Sequence, residues 1–156
     1  MPAKRLKEFL DSKDIKYVSI SHSQAFTAQE IAASAHVSGK ELAKTVIVKI
    51  NGKVAMAVLP ASHKIDFSLL KGAVGANKVE LAGEQEFKDK FPDCEIGAMP
   101  PFGNLYGTDV FVEESLTRDE EIAFNAGVHT ELIKLAYKDF ARLVSPKVVR
   151  FSSENI

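Results

Sequence analysis

One lysine, Lys44, begins a segment whose residue types favour a β-strand, residues 44–50. Because side chains alternate between the two faces of a strand, Lys44 is predicted to share a face with Val46, Val48 and Ile50. Two interpretations stay open. In one, the apolar stem lies along the rim of the core and the ammonium reaches water. In the other, Lys44 stands at the mouth of a pocket and offers positive charge to a phosphate or an oxyanion.

A second candidate is the loop from Gly97 to Gly103, with the sequence Gly-Ala-Met-Pro-Pro-Phe-Gly. Glycine lets a backbone approach a ligand closely, and the two prolines fix the shape of the loop. Such a loop can present backbone carbonyl and amide groups to a small ligand. The alternative is an ordinary connection between two elements.

A third candidate is the turn predicted over residues 125–129, Asn-Ala-Gly-Val-His, between two strands. His129 either contacts a ligand or points to water. The other histidines, His22, His36 and His63, are not spaced like metal ligands. The sequence therefore predicts no metal site.

The sequence offers no obvious nucleophile. Cys94 is the only cysteine, and the carboxylates of Asp93 and Glu95 beside it disfavour a reactive thiolate. A single cysteine also excludes an internal disulfide framework and a multi-cysteine zinc site. A nucleophile elbow, a P-loop and a dinucleotide fingerprint are all missing from the sequence.

Composition is that of a globular protein. The 156 residues have a formal net charge of −1, with 46% hydrophobic and 26% charged residues. These values predict one soluble domain over residues 1–156, located in the cytoplasm, and exclude a disordered chain. No apolar run approaches the roughly 20 residues of a membrane span, and the first residues are charged, unlike a signal peptide.

Charge is distributed unevenly along the chain. Residues 1–16 carry a net charge of +2, residues 138–150 carry +3, and residues 109–121 carry −5. If the two basic segments meet in space, they could hold a few phosphates. The alternative is an ordinary solvated helix surface.

The elements that would position these residues follow from hydrophobic periodicity and turn signals. Helices are predicted over 3–13, 27–36, 67–71, 84–91 and 138–144, and strands over 17–21, 44–50, 54–59, 78–81, 110–112, 122–124, 131–136 and 148–151. Thr27 and Asp66 are predicted N-caps, and Asn51-Gly52 predicts a hairpin. Strands outnumber helices, which predicts a mixed α/β or α+β domain with a curved sheet partly covered by short helices.

Three segments together resemble the YbaK and prolyl-tRNA-synthetase-associated family, free-standing relatives of the editing insertion of bacterial prolyl-tRNA synthetase. In Ala43–Lys49, Lys44 stands where the family has its important lysine. Gly97–Pro101 fits the family's glycine-x-x-x-proline loop. Glu121–Gly127 is similar to the family's strand and turn before the penultimate strand. The resemblance implies a largely antiparallel, barrel-like mixed sheet surrounded by short helices.

The resemblance also implies a trans-acting aminoacyl-tRNA deacylase, which hydrolyses the ester between a wrong amino acid and the 3′ adenosine of a tRNA. Mischarged tRNA is the implied partner, with an aminoacyl-tRNA synthetase as a second one; no metal, organic cofactor or membrane is implied. The branch that clears cysteine usually has a Ser-Pro-Leu-Gly loop, whereas residues 99–103 here are Met-Pro-Pro-Phe-Gly. This loop resembles more the branches that act on alanine, serine or threonine.

Roles for individual residues follow from the resemblance. Lys44 is the expected catalytic residue and pairs with the terminal phosphate or the developing oxyanion. Carbonyls of the loop hold the α-ammonium, backbone amides hold the ester carbonyl, and a ribose hydroxyl orients the water, so that positioning replaces a protein base. The expected substrate-binding residues are Thr45, Gly97, Ala98, Met99, Pro100, Pro101, Asn125, Gly127 and His129. The bulky side chains of Phe26, Met99 and Phe102 are either pocket walls or core residues.

Two other functions remain open at this point. One is a non-catalytic module that binds aminoacyl-nucleotides or tRNA, or associates with a synthetase. The other is a hydrolase of a different activated ester or amide, against which the absence of a nucleophile–base pair counts.

Overall fold

The computed structural model describes residues 4–21, 42–87, 89–91, 94–95 and 97–154. In these residues the strands are β1 (Tyr17–Ser21), β2 (Ala43–Ile50), β3 (Lys53–Pro60), β4 (His63–Ile65), β5 (Val79–Leu81), β6 (Asp109–Glu113), β7 (Glu121–Asn125), β8 (Glu131–Ala136), β9 (Lys147–Val149) and β10 (Ser152–Glu154). The helices are α1 (Lys4–Ser12), α2 (Phe67–Val74), α3 (Glu84–Phe87) and α4 (Tyr137–Val144), with 3-10 turns at Gly103–Leu105 and Glu114–Arg118.

The β2–β3 hairpin presents Lys44, and its turn is encoded locally. Asn51 and Gly52 have φ angles of 51° and 83°. Both angles are positive, as a type I′ turn requires, and Asn-Gly tolerates them best. The predicted hairpin is confirmed, with an unbroken antiparallel register from the turn to the pair of Ala43 and Pro60.

The strands form three sheets in the part of the chain that the structure describes. A five-stranded sheet has the order β5-β2-β3-β6-β9, a three-stranded sheet the order β1-β8-β7, and β10 pairs with β4. In the five-stranded sheet, β6 is parallel to both β3 and β9, while the other pairs are antiparallel. The mixed α/β class is confirmed, and the strands of the described residues do not close into the expected barrel-like sheet.

The five-stranded sheet is buried on both faces, which explains the continuous apolar run of β3. One face carries Met56 and Val58 into the main core, where α1, α4 and the three-stranded sheet also contribute side chains. The other face carries Ala57 and Leu59 into a second cluster with Leu70 of α2. Strands buried on both sides lose the polar alternation of a half-exposed sheet.

Two of the helix and strand predictions need correction, and a third concerns residues that the structure does not describe. The helix predicted over 84–91 is wrong, because only Glu84–Phe87 is helical and residues 89–91 are not. The last strand, predicted over 148–151, lies at Lys147–Val149 and is followed by the separate β10. The helix predicted over 27–36 lies outside the described residues.

The buried carboxylate of Glu113 ties the end of β6 to the start of β10. Its Oε1 accepts hydrogen bonds from the backbone N–H groups of Phe151, at 2.9 Å, and Ser152, at 3.1 Å. Its Oε2 accepts one from the N–H of Ser115 at 2.8 Å. Burial alone would raise the pKa of Glu113, but these hydrogen bonds outweigh it and hold the pKa below the ordinary value.

We expect Glu113→Gln to lower the free energy of unfolding by roughly 2 kcal/mol at pH 7, because buried donors lose a charged acceptor. A carboxyl whose folded pKa is depressed stabilises the fold above its unfolded pKa of about 4.3, and this contribution is lost as pH falls through the folded pKa. The difference between variant and wild type should therefore shrink below about pH 4. Urea unfolding at pH 7, 5 and 3.5 measures it, with the exposed Glu114→Gln as control; a difference independent of pH would contradict this account.

Candidate active site

Lys44 is half-buried near the start of β2, opposite Leu59 of β3. It shares its face of the strand with Val46 and Val48, which belong to the second hydrophobic cluster. Burial lowers the pKa of the Lys44 ammonium. Among the residues that the structure describes, no carboxylate pairs with it, so this partly desolvated cation would gain from the approach of an anion.

Thr45 does not lie beside Lys44 in space, although it follows it in the sequence. Strand alternation puts Thr45 on the opposite face of β2, between Ala43 and Ile47, which both belong to the main core. Lys44 and Thr45 therefore point away from the sheet in opposite directions.

The loop that contains Gly97 packs directly onto the turn between β7 and β8. The N–H of Gly127 donates to the carbonyl of Ala98 at 2.9 Å, and the N–H of Glu95 donates to the carbonyl of Gly127 at 2.8 Å. The N–H of His129 donates to Oε1 of Glu95 at 2.6 Å. Four of the predicted residues, Gly97, Ala98, Gly127 and His129, are thus brought together.

The backbone conformation and the surroundings of residue 97 require a glycine at this position. Its φ of +86° lies in the region that L-residues rarely adopt. A Cβ there would also lie 3.4 Å from Cε1 of His129, so a side chain would press on the imidazole. The exposed His129 and the exposed backbone of Gly97 together form one polar edge of the candidate site.

The residues after Gly97 are buried, and they anchor the loop in the protein interior. Ala98 and Met99 are 0% and 4% exposed, and Pro100 and Pro101 are also buried. Met99 belongs to the main core. Phe102 is completely buried among other aromatic rings, with its centroid 5.5 Å from that of Phe140, so it is a core residue and not a pocket wall. Phe26, the third proposed wall residue, lies outside the described residues.

β2 and β7 belong to different sheets, but an isolated bridge joins the start of β2 to β7. A parallel bridge joins Leu42, just before β2, to Ala123 of β7. Both strands run on in the same direction from this bridge, and Lys44 and Asn125 each lie two residues beyond it. Alternation puts Lys44 on the same side of its strand as Leu42, and Asn125 on the same side of its strand as Ala123, and Leu42 and Ala123 share a small apolar cluster.

Glu95 is a residue whose positioning role could not be seen in the sequence. The Glu95 carboxylate accepts a hydrogen bond from the N–H of His129, and the N–H of Glu95 donates one to the carbonyl of Gly127. Both bonds fix the turn. The only signal would have been a carboxylate two residues before a loop glycine, which is too common to be specific. Its neighbour Cys94 is half-buried, with Sγ 3.4 Å from the Tyr106 hydroxyl.

The described residues include no group of three or more His, Cys, Asp and Glu side chains that could hold a metal ion. Nor does any helix among them have the length and apolar character needed to cross a membrane. The groups that the structure places at the candidate site are a cation, backbone N–H and C=O groups, and an imidazole. These groups can bind and orient a polar ligand and stabilise a developing negative charge.

Comparison with known proteins finds one relative of similar length and one that is much longer. The Multifunctional Ser/Thr-tRNA deacylase ProXp-y of Escherichia coli (strain K12) is 26% identical over 152 residues, which cover 94% of this chain and 90% of that protein. A proline–tRNA ligase of Bacillus mycoides is 27% identical over 88 residues, covering 56% of this chain but 15% of the ligase.

The fold is also shared with solved structures. The crystal structure of a candidate trans-editing enzyme for prolyl-tRNA synthetase superposes with a TM-score of 0.84 at 18% identity, covering 97% of each chain. At this level of identity the likeness concerns the fold, and it agrees with the open, mixed sheets described above.

The family model of the aminoacyl-tRNA editing domain matches residues 22–143, well over half of the chain. The match contains β2, the Gly97 loop and the β7–β8 turn, on which the resemblance was based. Both the family expected from the sequence and the class of enzyme, an aminoacyl-tRNA deacylase, are confirmed. The chain belongs to the aminoacyl-tRNA editing domain family.

Proposed function

We propose that residues 1–156 act as a single trans-editing domain that hydrolyses the ester of tRNA mischarged with a small amino acid, alanine, serine or threonine. The observation that carries the proposal is the half-buried ammonium of Lys44, which has no carboxylate partner among the described residues, on a strand bridged to β7, whose turn holds the Gly97 loop. The name of the Escherichia coli relative, which refers to seryl- and threonyl-tRNA, supports this range of substrates.

The chemistry required is modest, because an aminoacyl ester is already activated. Water attacks the carbonyl carbon, a tetrahedral oxyanion forms, and the ester bond to the ribose oxygen breaks, releasing the free amino acid and the tRNA. Lys44 pairs with the anion at this site, either the terminal phosphate or the oxyanion. The ribose hydroxyl next to the ester orients the water, so that positioning lowers the barrier by several kcal/mol without a protein base.

The loop and turn hold the aminoacyl end. Backbone carbonyls of residues 97–101 accept hydrogen bonds from the α-ammonium of the substrate, while amides near Gly127 and the side chains of Asn125 and His129 contact the ester or ribose. The Ala98 carbonyl already accepts one hydrogen bond from Gly127, which fixes the direction of the loop. Because Met99, Pro100 and Pro101 are packed into the core, the loop is rigid and rejects large side chains by its shape.

The similarity to part of a proline–tRNA ligase supports tRNA for proline as the acceptor and prolyl-tRNA synthetase as a second partner. An editing domain outside the synthetase must bind the mischarged tRNA after its release. One methylene in a binding pocket is worth only about 1–3 kcal/mol, which is why a separate editing site is useful.

The proposal is tested with a deacylation panel. Wild-type protein is incubated with tRNAs that carry alanine, serine, threonine, cysteine or proline, and loss of the radiolabelled amino acid is followed over time. We expect clearance of one or two of the small amino acids, at least about 100-fold faster than clearance of proline. If no ester is cleared although uncharged tRNA binds tightly, the protein is a non-catalytic binding module instead.

A further inference from the structure

The two basic segments of the sequence, residues 1–16 and 138–150, meet at one groove. Phe9 and Lys13 of the first segment and Arg142 and Leu143 of the second line a cavity of about 490 Å³, together with Asn104. We call this cavity the α1–α4 groove. Basic residues that are far apart in the sequence thus lie on one local surface.

Phe9 of α1 supplies an aromatic ring to this groove, and Lys13, directly after the helix, supplies a cation. Arg5 and Phe9 are four residues apart and lie on the same side of α1, and Lys13 is the first residue after the helix. The Arg5 guanidinium lies 4.9 Å from the ring centroid of Tyr106 and donates to the carbonyl of Leu105 at 2.5 Å. The Lys13 ammonium lies 6.0 Å from the ring centroid of Phe9 and has no carboxylate partner in the described part of the chain.

Acidic groups near the groove do not prevent its cations from binding phosphates. Arg142 pairs with Asp139 at 3.3 Å, but its side chain is 66% exposed, and such surface pairs are weak. A phosphate can therefore compete with Asp139 for this guanidinium. The carboxylates of α1 are engaged elsewhere, Glu8 with Lys4 and Asp11 with the hydroxyl of Tyr17.

We propose that the α1–α4 groove binds backbone phosphates of the tRNA beyond its aminoacylated end. This rests on the proposed function, because it takes tRNA as the substrate. The groove combines two cations, Lys13 and Arg142, with the ring of Phe9 and the amide of Asn104. Cations along a backbone and an aromatic ring on which a base can stack are the chemistry of single-stranded nucleic-acid sites. Asn104 lies three residues after Pro101, so the groove adjoins the segment that carries the candidate ester site.

A second cavity provides the matched control. Arg150, also in the second basic segment, lines a cavity of about 320 Å³ with Glu113, Glu114 and Arg118, where two carboxylates offset the two guanidinium groups. Arg150→Gln removes the same charge as Arg142→Gln. If only the net charge of the protein mattered, the two substitutions would weaken RNA binding equally.

The test measures binding of uncharged tRNA by fluorescence anisotropy between 50 and 300 mM salt, for wild type, Lys13→Gln, Arg142→Gln and Arg150→Gln. We expect each of the two groove variants to weaken binding about five- to tenfold near 0.1 M salt and to reduce the salt slope by about one, with little change for Arg150→Gln. In deacylation, the same two variants should raise KM and leave kcat unchanged. Hydrolysis of an aminoacyl-adenosine, which carries no phosphate, should be unaffected.

Unchanged tRNA affinity in both groove variants, or an equal loss in the Arg150→Gln control, would overturn the proposal. The binding measurement needs no catalysis, so its outcome is separate from that of the deacylation panel. A wild-type protein that clears no ester but loses tRNA affinity in the groove variants would refute the proposed function alone. Normal clearance with unchanged affinity and KM in the groove variants would refute the groove alone.

Discussion

Lys44→Met is expected to slow deacylation by about 100-fold or more, because a positioned positive charge at a developing oxyanion is worth this much in comparable sites. The same substitution should leave the melting temperature unchanged or raise it. Methionine keeps the length and apolar stem of lysine, and it removes a half-buried charge that has no carboxylate partner in the described residues. The gain in stability is at most about 1 kcal/mol. Deacylation kinetics and thermal unfolding of the same preparation measure both effects.

Lys49→Met is the matched control, in the same strand but on its opposite face. The Lys49 ammonium lies 3.0 Å from a carboxylate oxygen of Glu86 and 3.6 Å from one of Glu80. Its replacement should leave deacylation unchanged. Lys44→Arg separates the two roles of the charge, because a loss confined to KM indicates phosphate binding and a loss in kcat indicates the oxyanion. Wild-type turnover in Lys44→Met would remove Lys44 from the mechanism.

Gly103→Ala is expected to destabilise the protein strongly. A Cβ at Gly103 would lie 2.2 Å from the carbonyl oxygen of Thr108 and 2.6 Å from Cγ2 of Val110. Backbone atoms cannot rotate away as a flexible side chain can, so the 3-10 turn and the start of β6 must shift. We expect a loss of about 3 kcal/mol or more, and a melting temperature roughly 6–12 °C lower, in thermal unfolding.

Gly72→Ala tests the same change of residue where space is available. Gly72 lies inside α2, and a Cβ there has no atom within 4 Å. Alanine favours the helix over glycine, so this variant should be more stable by about 0.5–1 kcal/mol. The opposite signs of the two glycine variants are the critical result; similar melting temperatures for both would show that the close approach at Gly103 is relaxed at little cost.

Elements whose signals are local could be predicted from the sequence. The Asn51-Gly52 hairpin and the Asp66 N-cap, whose carboxylate accepts from the N–H of Leu69 at 3.1 Å, depend on neighbouring residues alone. The helix predicted over 84–91 is wrong because tertiary contacts decide it. Phe87 and Phe91 are both buried at helical spacing, yet Phe91 leaves the helix and packs edge-on against Tyr106 at 5.0 Å.

The candidate site was predicted as separate motifs, and their contact could not be predicted. Strand alternation already separated Lys44 from Thr45, so their opposite faces were contained in the sequence. The hydrogen bonds from Glu95 to the turn join residues that are far apart in the chain, and they form only when β7 and β8 are in place. No pattern of neighbouring residues encodes such a contact.

The pairing of β1 with β8 joins Tyr17 to Leu135, two residues at nearly opposite ends of the chain. During synthesis, the β2–β3 hairpin with Lys44 can form early, whereas the three-stranded sheet must wait for residues 131–136. Such long-range closure is slow relative to local hairpin formation. The β7–β8 turn belongs to this late sheet, so a nascent chain contains the lysine long before it contains the surface that would hold an ester beside it.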